Sequence, residues 1–80
     1  MKILELLTQL DKEVPGADGC YYWHITLHGD GSGELFEPGD HMAMVIFSDI
    51  QHLENIIAAL LHHKPQTSEH RLAIAMEVNE

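Results

Sequence analysis

Eighty residues make one domain, and a chain this short buries a modest share of its surface, so its stability margin is thin. Cys20 is the only cysteine, which excludes an internal disulfide scaffold and points to a reducing compartment, and the 45% apolar content is that of a globular chain and too high for a disordered one. The formal charge of −9 opposes contact with nucleic acid or anionic membranes and steers the chain toward basic partners, while also keeping a small protein soluble.

The N-terminal segment MKILELLTQLDKE does not read as a signal peptide, because Glu5 interrupts the apolar run. Its apolar residues Ile3, Leu7, Leu10 and Val14 recur at helical spacing, with Leu4 and Leu6 broadening the stripe, so a helix is predicted over residues 2–14. Pro15-Gly16 ends it, and Ala17-Asp18-Gly19 continues the turn. Residues 20–28 alternate as a strand, with Tyr21, Trp23, Ile25 and Leu27 expected inward and Cys20, Tyr22, His24, Thr26 and His28 outward. Gly29-Asp30-Gly31-Ser32-Gly33 is hairpin material, a short strand follows at 34–36, and Glu37-Pro38-Gly39-Asp40 makes a second turn.

Residues 41–47, HMAMVIF, are apolar on both faces and predict a central strand. Ser48 with Gln51 reads as a capping box, opening a helix whose stripe is Ile50, Leu53, Ile57, Leu60 and Leu61 and which Pro65 stops. His62, His63 and Lys64 suit the negative end of its dipole. Residues 70–78 alternate again, with Leu72, Ile74, Met76 and Val78 on one face, and predict a last strand. The expected fold is a single α+β domain over 1–80, a two-layer sandwich of order α-β-β-β-α-β. Two helices would cover one face of a mostly antiparallel four-stranded sheet, with the last strand parallel to the third. The other face would stay open, carrying either Met42, Met44 and Ile46 or Ala43, Val45 and Phe47 beside the outward residues of the first strand.

The apolar runs at 42–47 and 56–61 are too short to span a bilayer, so the sequence predicts a cytoplasmic protein with no membrane contact, and a complete reading frame. The charge is unevenly placed. Between Lys12 and Lys64 lie 51 residues without Lys or Arg, yet with eight acids: Glu13, Asp18, Asp30, Glu34, Glu37, Asp40, Asp49 and Glu54.

Seven histidines raise metal binding, but His24 and His28 are about 13 Å apart along a strand and His52 and His63 about 16 Å apart along a helix. A cross-strand set of His24 or His28 with His41 and Asp40 is the remaining route to the three or four ligands a zinc site needs. Histidine titrates near about pH 6.5, so binding to a basic partner is expected to weaken between about pH 7 and pH 5.5. The glycine-rich segment precedes a strand and lacks a lysine, which excludes a dinucleotide fingerprint, and Leu35 and His41 break the calcium-loop pattern. Cys20 and His24 are too far apart on a strand for a nucleophile and its base, and Ser32 has no nucleophile elbow. No catalytic residue, metal site or cofactor is implied, and the chain reads as a non-enzyme.

The sequence therefore predicts a small acidic protein-binding module, a stoichiometric inhibitor or immunity-type protein docking on the basic surface of a nucleic-acid enzyme without touching nucleic acid itself. The expected contact is an open sheet face (Tyr22, His24, Thr26, His28) with an acidic rim (Asp30, Glu34, Glu37, Asp40), and Tyr22 is the candidate hot spot. Strict mimicry of nucleic acid fits less well, because the second helix offers only Asp49 and Glu54. The alternative is a homodimeric ligand- or metal-binding domain that pairs its histidine-rich faces.

Overall fold

The computed structural model describes residues 2–16 and 20–78. The expected turn at Ala17-Asp18-Gly19 lies outside the described residues. Helix α1 (Lys2–Glu13) buries Ile3 and Leu10, with Leu6 and Leu7 half-buried, which is the stripe its spacing dictates; Leu4 faces solvent. The last helical turn closes through Val14 N–H to the Leu10 carbonyl at 2.8 Å, just before Pro15.

Three short antiparallel strands follow: β1 (His24–Leu27), β2 (Gly33–Phe36) and β3 (Val45–Phe47), in the order β1-β2-β3. The register pairs Thr26 with Glu34 and Glu34 with Ile46, and pairs Leu27 with Gly33 and Gly33 with Phe47. Alternation then sends Leu35 and Phe47 into the core and Glu34, Phe36 and Ile46 outward. The first strand is shorter than the predicted 20–28. β2 ends at Phe36, opposite His24, and the chain turns at Pro38-Gly39, so residues 20–23 have no strand to pair with. Tyr21 is consequently exposed; Trp23 stays inward, its N–H on Asp11 Oδ1 and its indole N–H on the Val14 carbonyl, both at 2.7 Å. Leu27 is exposed as well, because its cross-strand neighbour Gly33 has no side chain to pack on it.

The third strand covers 45–47 rather than 41–47 and lies at an edge, with β2 in the centre. Helix α2 (Ile50–His63) buries Leu53, Ile56, Ile57 and Leu60. Its N-cap is Asp49, one residue later than the expected Ser48: Asp49 Oδ1 accepts the His52 N–H at 2.8 Å. The helix ends with Lys64 in the left-handed region (φ 47°) ahead of Pro65.

Residues 68–77 are helical, not a fourth strand, and form α3 (Ser68–Glu77). Thr67 caps it, Oγ1 accepting the His70 N–H at 3.2 Å. Arg71, Ile74 and Ala75 are its buried positions, an i, i+3, i+4 set that coexists with the alternation of Leu72, Ile74 and Met76. Ala, Leu, Met, Glu and Arg dominate the segment, and all favour helix. The fold is thus α+β, with three helices and a three-stranded antiparallel sheet. The core joins α2 and α3 to the inward side of the sheet through Leu35, Phe47, Leu53, Ile57 and Ile74, and α1 packs on α2, adding Ile3 and Leu10. No described helix is long and apolar enough to cross a membrane.

Candidate functional site

The outward side of the sheet is not packed by the helices. Ile46 is 70% exposed there, and His24 and Thr26 are exposed beside it. The rings of His24 and Phe36 stack across β1 and β2, with centroids 4.5 Å apart and planes within 6°, so each fixes the other. His28, just past β1, brings Nε2 within 3.7 Å of Glu34 Oε1. Beyond it the hairpin closes through His28 N–H to the Ser32 carbonyl at 2.8 Å, with Gly31 at φ 93°. Asp30 Oδ1 accepts both the Ser32 hydroxyl (2.6 Å) and its N–H (3.0 Å). Those bonds, the hydroxyl's foremost, hold the exposed Asp30 carboxyl below its usual range.

At the other end of the same face the structure gathers Tyr22, His24 and Asp40 around a shallow hollow of about 500 Å³, completed by Cys20, Tyr21, Gly39 and His41. The turn that supplies Asp40 is closed by its N–H to the Glu37 carbonyl at 3.1 Å, with Gly39 at φ 80°. The Tyr21 ring rests on this glycine: a methyl there would stand 3.2 Å from its Cδ2. Asp40 Oδ1 in turn accepts the Met42 N–H at 3.2 Å.

Glu37 departs from the expected acidic rim. It is 6% exposed, with Oε2 accepting Arg71 Nη1 at 3.2 Å and the Ser68 hydroxyl at 2.9 Å. Arg71 is anchored further by Nη2 to the Pro15 carbonyl (3.0 Å) and Nε to that of Pro65 (3.4 Å), and its guanidinium lies 5.4 Å from the Trp23 ring centroid. Glu37 therefore ties α3 to the turn after β2 and cannot meet a partner without breaking that network. Two more cations are held away from the sheet, Lys2 on Glu54 at 3.4 Å and Lys64 on Glu13 at 2.9 Å. The strands and their turns, residues 20–49, contribute no cation of their own.

Of the eight residues picked from sequence, Tyr22, His24 and Asp40 converge, Thr26 and Glu34 share a cross-strand row, His28 and Asp30 sit at the hairpin end, and Glu37 is withdrawn. Tyr21 and Phe36 join the surface from outside the predicted contact set, as do His41, named only for the metal set, and Ile46, from the Met42, Met44 and Ile46 alternative for the open face. The dipeptide Tyr21-Tyr22 ahead of a strand was the available signal. Among the described residues no group of three or more His, Cys, Asp or Glu is arranged to hold a metal ion, the set of His24 or His28 with His41 and Asp40 included. His52 is occupied structurally: Nδ1 accepts the Ser48 N–H at 3.1 Å, which leaves the ring proton on Nε2 to reach the Val78 carbonyl at 3.3 Å.

No protein-family model, curated protein or solved structure matches this chain.

Proposed function

We propose that the chain is a protein-binding module, a stoichiometric inhibitor or immunity-type protein of the cytoplasm, that docks on a basic, nucleic-acid-binding surface through the outward side of its sheet. The observation that carries this reading is the pairing of outward apolar groups with acid on one face. Exposed Ile46 and half-buried Phe36 share the outward side with Glu34, and Asp30 and Asp40 sit in the turns at its two ends, on strands and turns that bring no Lys or Arg. Interfaces combine such an apolar centre with a charged rim, and the rim sets encounter rate and orientation. With Glu37 removed from the rim, the contact residues become Tyr22, His24, Thr26, His28, Asp30, Glu34, Asp40 and Ile46.

The test is affinity capture followed by calorimetry with the captured protein in purified form. Thr26→Lys and Ile46→Lys together should abolish binding, whereas Leu4→Lys on the far helix should leave it intact. Binding should also weaken as salt rises, since exposed charges are screened beyond about 8–10 Å at 0.1–0.15 M ionic strength. A partner that survives the double variant would bind elsewhere, and the reading would be wrong.

A further inference from the structure

The hollow beside Gly39 has aromatic and acidic walls, with Cys20 and His41 completing its lining. Tyr21, Tyr22 and His24 present aromatic rings, Asp40 supplies a carboxylate, and no Lys or Arg lines it. Two of the walls are set before any ligand arrives. Tyr21 lies on the Gly39 backbone, whose positive φ brings the turn close, and His24 is stacked on Phe36. Tyr22 is 68% exposed and completes the rim. Arg71, which borders the adjoining hollow together with Asp40, is committed to Glu37 and two carbonyls, so it does not answer the Asp40 charge. Aromatic faces attract cations through their quadrupole, and a carboxylate at the edge adds charge and hydrogen-bond acceptors.

We infer that this hollow is a receptor for one arginine side chain of the partner protein, its guanidinium laid against Tyr21 and Tyr22 and forked onto Asp40. Guanidinium is favoured over ammonium because it is planar, stacks on aromatic rings and is weakly hydrated, which matters in a hollow that stays open to water. The volume, about 500 Å³, falls within the range of roughly 300–1,000 Å³ usual for ligand sites and admits the side chain with its flanking backbone. This assignment rests on the docking reading and names the anchor within it.

The experiment is an NMR titration of the ¹⁵N-labelled protein with acetyl-Gly-Arg-Gly-amide and with the same peptide carrying citrulline, lysine, or replaced by free arginine. Saturable shifts should appear at Tyr21, Tyr22, His24, Gly39 and Asp40 with the arginine peptide and be absent with citrulline, which keeps the shape and loses the charge. Tyr22→Ala should weaken binding by about two- to fivefold, the range of an exposed cation–π contact, and Asp40→Asn by about tenfold or more, the range of a hydrogen bond to a charged group, while Asp30→Asn does neither. Asparagine retains the oxygen that holds Met42 N–H, so the Asp40 variant keeps its turn. Equal binding of citrulline or lysine, shifts confined to other residues, or no shifts at all would overturn the assignment, and tighter binding of free arginine would make the ligand the amino acid itself. The docking reading fails separately, in the capture experiment with Thr26→Lys and Ile46→Lys, neither of which lines the hollow.

Discussion

Arg71→Met would leave the Glu37 carboxylate in the interior with the Ser68 hydroxyl as its remaining partner. The side chains of Arg71 and Glu37 are 9% and 8% exposed, so the carboxylate loses its charge partner in a largely desolvated position, and the carbonyls of Pro15 and Pro65 lose their donors too. Methionine keeps the apolar stem, which confines the loss to charge and hydrogen bonds. Removing one member of a buried pair costs about 3–5 kcal/mol. At about 0.05–0.15 kcal/mol per residue, a chain of 80 residues has about 4–12 kcal/mol in total. The variant should therefore lose a quarter or more of its stability, with a fall in Tm of at least about 12 °C. Trp23, the single tryptophan, is buried beside Arg71 and reports the transition by fluorescence during urea unfolding. Adding Glu37→Leu should restore part of the loss, because the orphaned charge is then gone. An Arg71→Met protein within about 0.5 kcal/mol of the parent would refute the reasoning, since that is the usual range for surface changes.

Gly33→Ala should destabilise by about 1–3 kcal/mol, as overpacking does, because the new methyl would collide with the Thr26 carbonyl and the Phe47 ring; a urea midpoint equal to the parent's would contradict this. Asp49→Ala should cost about 1 kcal/mol as a lost N-cap, and Ser48→Ala clearly less, which equilibrium unfolding of the two variants distinguishes. The Glu13 carboxyl, held down foremost by its hydrogen bond from Lys64, should titrate below its ordinary value of 4.5. Its folded value is depressed, so its contribution is complete above 4.5 and is lost as the pH falls through the lower folded value; Lys64→Met should raise the Glu13 midpoint in a carboxyl-resolved NMR titration. Ser32→Ala should likewise raise the Asp30 midpoint, and an unmoved midpoint would show that the hydroxyl does not hold it down.

The helices with one strong periodicity were legible in the sequence. The stripes of α1 and α2 lie mostly where their spacing puts them, with Leu4 and Ile50 turned to solvent and Ile56 buried in addition, and Pro15 and Pro65 stand just past their ends. α3 was not legible as a helix because its apolar residues satisfy both periods at once: Leu72, Ile74 and Met76 alternate, while Arg71, Ile74 and Ala75 recur at helical spacing. A buried arginine does not register as a core position in an apolar pattern, so the alternating set stood out. The signal that separates the two is Thr67, whose hydroxyl caps the first turn. The candidate site was legible in composition and misplaced in detail. Residue type and position point to Tyr22, His24 and Asp40, but alternation places Tyr21 inward because it runs on past the point where a partner strand exists. A turn position places Glu37 outward because turns are exposed on average; its burial depends on an arginine 34 residues later in the chain.

By itself the sequence determined what is local or additive: the charge, the absence of Lys and Arg from residues 13–63, the amphipathic helices, and the two glycine turns whose positive φ brings the strands back on themselves. Only the tertiary structure decided which acids remain available to a partner. An ion pair is made by two residues whose separation along the chain is arbitrary, so the withdrawal of Glu37 by Arg71 and the meeting of Asp40 with Tyr21 and Tyr22 follow from packing and not from any pattern within one segment.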